Sequence, residues 1–188
     1  FVKIILDEAA WLNRIVEGLL TFARPGRPQL RESPLPDVLR HAADLERERM
    51  NQQGIATEIK IRGRIPPIYI DREQITQVLL NIVGNAIEAM PEGGRLSLEC
   101  SVVRRRPHLR RGTGQRKTDR IRYDRSLPMK RYLRLRITDT GAGIPREVLP
   151  RIFDPFFTTR SKGTGLGLSI SQSIVTEHGG FISAHSIE

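Results

Sequence analysis

Residues 71–90 constrain this chain more than any other stretch. Asp71-Arg72-Glu73-Gln74 reads as a helix start, with Asp71 as N-cap and Gln74 reaching back to it. Behind it Ile75, Val78, Leu79, Ile82, Val83, Ala86 and Met90 fall on one face at helical spacing, so the helix has to be covered by a core. The opposite face carries Gln74, Gln77, Asn81, Asn85 and Glu88, the last three in one row. Asn is a mediocre helix former, and two on one stripe point to a task for their amides. An Asn carbonyl oxygen is a hard ligand for Mg²⁺, which also keeps waters and substrate phosphates. A merely solvated polar face is the plainer alternative.

The flanking segments place this helix in an α/β unit. Ser33-Pro34 offers an N-cap with Pro in the first turn, and Val38, Leu39, Ala42, Leu45 and Met50 carry helical spacing up to Gly54. Ile55, Thr57, Ile59 and Ile61 alternate as a strand, and Ile68 and Ile70 form a short one after Pro66-Pro67. Leu96, Leu98, Cys100 and Val102 alternate again, as do Leu133, Leu135 and Ile137, so these two are expected to pair as a hairpin. Phe181, Ile182 and Ala184 are expected to begin a last strand.

The second hairpin strand runs into Asp139-Thr140-Gly141-Ala142-Gly143. A carboxylate buried there suits a hydrogen bond from an exocyclic amine such as that of adenine. Asp-Thr-Gly also occurs in aspartic proteases, but those need a second matching turn, which this chain lacks. Phe153, Phe156 and Phe157 follow, as ordinary core or as anchors of a lid. Next comes Gly163-Thr164-Gly165-Leu166-Gly167, running into an apolar-periodic helix up to His178. Bare backbone followed by a helix start is a phosphate cradle in physical terms, and a plain structural turn is the equal alternative.

Charge sharpens the domain boundaries. Of the net +10, residues 104–136 hold 14 Lys/Arg against Asp119 and Asp124, while the remainder carries 17 basic and 19 acidic residues. The folded body is thus nearly neutral, and the basic stretch reads as a solvated insertion between hairpin strands, too long for an ordinary connection. Tyr123 and Tyr132 alone give it poor aromatic interleaving, so nucleic acid is not the expected partner. With Cys100 as the single cysteine, internal disulfides and cysteine metal clusters are excluded, and a cytoplasmic setting is expected. At the other end, Val2, Ile5, Ala9, Leu12, Val16, Leu19 and Ala23 alternate steps of three and four, the seam of a packed helix. Arg24-Pro25-Gly26-Arg27-Pro28 stops that helix. The expected organisation is a helix over 1–24, a linker over 25–32 and a compact unit over 33–188 with a basic insertion at 103–131.

Four motifs in order, Asn81-Ile82-Val83-Gly84-Asn85-Ala86, Asp139-Thr140-Gly141-Ala142-Gly143, Phe153-Asp154-Pro155-Phe156-Phe157 and Gly163-Thr164-Gly165-Leu166-Gly167, resemble the ATP-binding domain of sensor histidine kinases. That domain belongs to the superfamily shared with gyrase, heat-shock chaperones and mismatch-repair ATPases. The wording Phe-Phe-Thr-Thr-Arg and His-Gly-Gly is similar to the nitrogen-regulation branch. The resemblance implies a two-layer α/β sandwich with a mixed sheet, preceded by one helix of a dimerisation bundle. It implies ATP and Mg²⁺ as ligands, with Asn85 as metal ligand, Asn81 near the metal or a positioned water, and Asp139 reading the adenine amine. Gly141 and Gly143 would make room for the base. Gly163, Gly165 and Gly167, with Phe157, Thr164 and Leu166 beside them, would let the lid and the following helix approach the phosphates. Arg160 and Lys162 would neutralise the γ-phosphate as charge develops. The implied partners are a response-regulator receiver domain and a second copy through the N-terminal bundle of the full-length protein.

The departures carry expectations of their own. His41, His108, His178 and His185 lack the sequence context of a phosphoacceptor, so the receiving histidine is expected outside this chain, as is a final strand. Chaperone-like and mismatch-repair relatives typically place a general-base Glu where Asn81 stands, which sets an ATP-driven conformational machine second. Binding of nucleic acid or an acidic partner through the Arg-rich loop is a third reading.

Overall fold

The computed structural model describes Phe1, Val2, Leu6, Ala9, Leu12, Val16 and residues 27–105, 129–160 and 163–187. Val2, Leu6, Ala9, Leu12 and Val16 are exposed, the last four and Val2 all helical; the rest of the expected helix over 1–24 lies outside the described residues. So do Lys162 and most of the basic insertion, residues 106–128.

A short ribbon opens the compact unit. Strand β1 (Arg31–Ser33) pairs antiparallel with β3 (Ile68–Ile70), so residues 31 and 32, read as linker, are part of a strand. Helix α1 (Leu35–Leu45) and helix α2 (Arg47–Gln52) follow. Two expectations fail here. Ser33 does not cap α1: Pro34 takes that position, and the Ser33 hydroxyl donates to the Arg31 carbonyl within the ribbon. The helix is also broken at Glu46, which leaves Leu45 exposed rather than in the core.

Strands β2 (Ile55–Arg62), β4 (Gly94–Arg105) and β5 (Lys130–Asp139) form a mixed sheet in the order β2-β4-β5, with β2 parallel and β5 antiparallel to β4. The expected hairpin is therefore present, spanning the basic insertion. Alternation decides its faces: Leu96, Leu98 and Cys100 point inward and are fully buried, and burial pushes the Cys100 thiol up to about 11, far from thiolate reactivity at neutral pH. Glu99 points the other way and accepts from Arg62 at 2.8 Å, with Arg134 at 3.5 Å.

The inner face is covered by helix α3 (Arg72–Glu88) and α1, with helix α4 (Gly167–Glu177) packed on α3. Val38, Leu39, Leu79, Val83, Ile87 and Leu166 are buried to about the last percent, each a contribution of about 1.5–3 kcal/mol to folding. Asp71 does cap α3, accepting from the Glu73 and Gln74 amides at 3.1 Å. His178 joins the far ends of the two helices: its Nε2 accepts from the Asp71 amide at 2.9 Å, and its Nδ1 lies 2.8 Å from the Ile174 carbonyl, which requires the ring proton on Nδ1. Residues 181–187 form no strand, contrary to expectation. Phe181 instead packs edge-on against Tyr132 near the start of β5, and Ser186 accepts from the Ile144 amide beyond its end, so the segment runs alongside β5 without a backbone ladder among the described residues.

Candidate functional site: a cleft between the glycine turn and the lid

Three of the motifs lie at the C-terminal half of α3, which itself carries the first of them, and the Phe motif joins through Phe156 against Gly165. At one end of the cleft, the Leu96–Asp139 pair puts Asp139 on the helix-facing side of the sheet. Its Oδ1 accepts from the Gly141 amide at 3.0 Å, which folds residues 139–141 into a tight turn. The next amide, that of Ala142, donates to the Ala89 carbonyl at 3.1 Å and ties the turn to the end of α3. This close approach is why residue 141 is glycine: a Cβ there would meet the Ala89 carbonyl oxygen at 2.6 Å. Thr140 adds a second tie by accepting from the Arg95 amide at 3.0 Å. Asp139 is exposed rather than buried as expected, because it ends β5 at the rim of the sheet. Gly143, in the left-handed region at φ 77°, turns the chain under residues 186–187.

At the other end the two asparagines of α3 are used differently. Asn81 donates its amide to the Gly167 carbonyl at 3.1 Å and to the Ser171 hydroxyl at 3.3 Å, so it fastens the first turn of α4 to α3. The expectation of a water- or metal-positioning side chain thus meets an amide nitrogen already committed to a helix contact. Asn85, one turn on, faces the lid: its Oδ1 accepts from Arg160 Nη1 at 2.9 Å and its main-chain carbonyl accepts from Arg160 Nη2 at 3.2 Å. The same Nη1 also contacts Glu88 Oε2, and Arg49 reaches Glu88 Oε1 at 3.2 Å from the other side. Glu88 shares the row with Asn81 and Asn85 in the sequence but had no role there; the row was the signal.

Of the lid, residues 153–164, the described part (153–160 and 163–164) rests on few contacts among the described residues. The Arg151 guanidinium stands 4.3 Å over the Phe157 ring, and the Thr158 hydroxyl accepts from the Arg160 amide at 3.1 Å. Phe156 is more than half exposed and sits at φ 64°, a conformation that costs a bulky residue about 1–3 kcal/mol. Gly165, at φ 66°, lies directly against its main chain, where a Cβ would come within 2.4 Å, so the two ends of the lid are pinned together. Gly163 stands against the Thr158 side chain. Thr164 Oγ1 accepts from the Leu166 amide at 3.3 Å, and the buried Leu166 anchors the start of α4 in the core. The structure thus brings Asn81, Asn85, Arg160 and Gly167 together and docks the turn of Asp139, Gly141 and Gly143 at Ala89, just beyond the C-terminus of the same helix.

A helix row of amides between a carboxylate-bearing glycine turn and a glycine-pinned lid is the arrangement of a nucleotide-binding ATPase domain. Residues 70–188 match the family described as histidine kinase-, DNA gyrase B- and HSP90-like ATPase, and the chain belongs to that family. It is 32% identical over 186 residues, 99% of its length, to the sensor histidine kinase ZraS of Salmonella typhimurium strain LT2, of which it spans 35%. Among solved structures it is similar to full-length ShkA in complex with AMPPNP (TM-score 0.69, 25% identity, 94% of this chain and 33% of that one). It is also similar to histidine kinase ThkA in complex with the response regulator protein TrrA (TM-score 0.66, 26% identity, 95% of this chain and 44% of that one). No described helix is long and apolar enough to cross a membrane.

Proposed function

We propose that this chain is the ATP·Mg²⁺-binding catalytic portion of a two-component sensor histidine kinase. It would pass the γ-phosphoryl group of ATP to a histidine outside the chain and thence to an aspartate of a response regulator. In this reading the protein works in the cytoplasm as a homodimer joined through its N-terminal helices. Family membership, the ZraS likeness and the AMPPNP and response-regulator complexes of the similar structures support it.

The observation that carries the reading is Asn85. Its side-chain oxygen, on the cleft face of α3, already accepts from a cation, the Arg160 guanidinium. That hard carbonyl oxygen is a donor that fits Mg²⁺, which takes one or two protein oxygens and completes its shell with water and phosphate. When bound, the metal would neutralise charge on the β- and γ-phosphates. The chain's own residues do the rest. Asp139, held in its turn by the Gly141 amide, receives the adenine amine; Gly141 and Gly143, packed against Ala89 and residues 186–187 rather than open to a ring, shape the turn that presents it. Asn81 keeps the start of α4 on α3, so that the turn of Gly163, Gly165 and Gly167 lets the chain approach the phosphates; Phe157, Thr164 and Leu166 hold the lid hinge. Arg160 and Lys162 supply lid cations, and catalysis is positioning and electrostatics.

Calorimetry with AMPPNP and Mg²⁺ tests this reading. Asp139→Ala and Asn85→Ala are each expected to remove binding with the fold intact, and tight binding by the Asp139 variant would sink the assignment. Given labelled ATP, the chain alone is expected to acquire no acid-labile label.

A further inference from the structure

One guanidinium nitrogen of Arg160 touches both Asn85 Oδ1 and Glu88 Oε2, so these two oxygens, three residues apart on α3, converge on a single point. Arg49 holds the other Glu88 oxygen, Oε1, from the opposite side, which aims Oε2 at that point. An oxygen pair of one amide and one carboxylate, focused by a helix, is a seat for one cation, and the group now seated there belongs to the lid. We propose that Asn85 and Glu88 together form a two-oxygen cation seat for which the lid guanidinium of Arg160 and Mg²⁺ compete, so that metal entry and release of Arg160 are one exchange. This rests on reading the cleft as an ATP·Mg²⁺ site, and adds to it a second protein oxygen, that of Glu88, and the mutual exclusion of metal and lid arginine.

Three features make the exchange workable. Both oxygens are hard donors, and Mg²⁺ is satisfied by one or two such groups with water and phosphate filling the remaining positions. Arg160 and Glu88 are each a little under half exposed, so their ion pair is screened and contributes little on its own; a divalent ion brought in by phosphates can replace it. Arg160 sits on the Thr158-capped turn of the lid, so its release is a lid movement that leaves α3 unchanged, and a freed guanidinium at the lid is a bidentate phosphate ligand. Exchange thus converts a contact between lid and helix into one between lid and nucleotide.

The experiment uses ADP, which has no γ-phosphate for Arg160 to meet, and measures by calorimetry how ADP affinity rises with Mg²⁺ concentration. Arg160→Gln removes the competitor and is expected to lower the Mg²⁺ midpoint about threefold, the scale of an exposed ion pair. Adding Glu88→Gln to that variant removes the carboxylate with no competitor present and is expected to raise the midpoint about tenfold. Each midpoint is read against that protein's own metal-free ADP affinity, and far-ultraviolet circular dichroism reports an intact fold in all three. A midpoint unmoved by Arg160→Gln overturns the competition, and one unmoved by the added Glu88→Gln overturns the share of Glu88. Either failure leaves ADP binding in place, whereas absence of ADP binding by the unaltered chain would instead overturn the nucleotide reading.

Discussion

At one end of the cleft Gly141 lies against the main chain of Ala89, and at the other Gly165 lies against the main chain of Phe156. Both contacts are backbone on backbone, but what stands behind them differs. Ala89 closes α3, between the buried Ile87 and Met90, and its carbonyl is fixed by the Ala142 amide. Phe156 is exposed, in a strained conformation, on a segment tied down chiefly through Arg151, Thr158 and Arg160. The glycine turn is therefore part of the core's own geometry, while the described lid residues meet the rest of the fold through exposed side chains, chiefly Arg160 on α3. The difference predicts that forcing the backbone contact apart at the first end is read as lost stability, and at the second as lost binding with little loss of stability.

The largest effect is expected from Gly141→Ala. Neither the Ala89 carbonyl nor the Asp139 turn can yield without opening the junction of α3 and β5, so about 3 kcal/mol of stability should be lost, the upper range for overpacking. Denaturant unfolding checks the stability, and calorimetry should show nucleotide binding gone as well. A variant that kept full stability would remove the distinction between the two ends.

Asn81 and Asn85 divide the same way within a single helix. Asn81→Ala removes the donor that ties the Gly167 carbonyl and the buried Ser171 hydroxyl to α3, leaving them only their 2.8 Å bond to each other, which should cost about 1.5 kcal/mol. Asn85→Ala removes only contacts to the exposed Arg160 and should stay within about 0.5 kcal/mol of the parent, as surface changes do. Thermal unfolding of the pair, side by side, measures the split.

What was legible in the sequence follows the same line. Local pattern with a long period gave α3, its Asp71 cap and the β4–β5 hairpin, because apolar alternation and helical spacing are imposed residue by residue by burial on one face. The motif row gave the cleft, since Asn81, Asn85 and the two glycine turns do converge. Partners brought together by the fold were not legible. Arg160 meets Glu88 across 72 residues of chain, and His178 meets Asp71 across 107. Short-range signals misled where tertiary structure overrode them: Ser33 was drawn into the ribbon instead of capping α1, and residues 181–187 keep strand-like composition without a ladder. Asp139 was expected to be buried at a strand end beside two glycines, yet that same place at the rim of the sheet leaves it exposed.

A smaller effect comes from the far end of α3, and it tests whether the scaffold side of the comparison is governed by caps. Asp71→Ala should cost about 1 kcal/mol, the usual value of an N-cap. Burial pushes the Asp71 carboxyl up, but the amides of Gln74, Gln29 and Glu73 outweigh that and leave it below its ordinary 3.8. A carboxyl lowered by folding stabilises fully above its unfolded-state value and loses that contribution as pH falls through the lowered folded-state value. The gap in stability between parent and Asp71→Ala should therefore be constant at neutral pH and close in acid below 3.8. A gap that persisted there would mean that the helix start is held by something other than the ionised cap.

Gly165→Ala should be the smallest change in stability and for that reason the sharpest probe. The added methyl collides with the Phe156 main chain at a left-handed position, so the two ends of the lid must part. Phe156 is exposed and the lid lies outside the core cluster, so the segment can move away, and unfolding should shift by no more than about 1 kcal/mol. Nucleotide affinity should nevertheless fall about tenfold, because the lid turn that carries Arg160 no longer closes in register with the start of α4. Loss of stability matching that of Gly141→Ala would show that the lid hinge is as deeply built into the fold as the glycine turn. Unchanged affinity at unchanged stability would show instead that the pinned Phe156–Gly165 contact has no part in holding nucleotide.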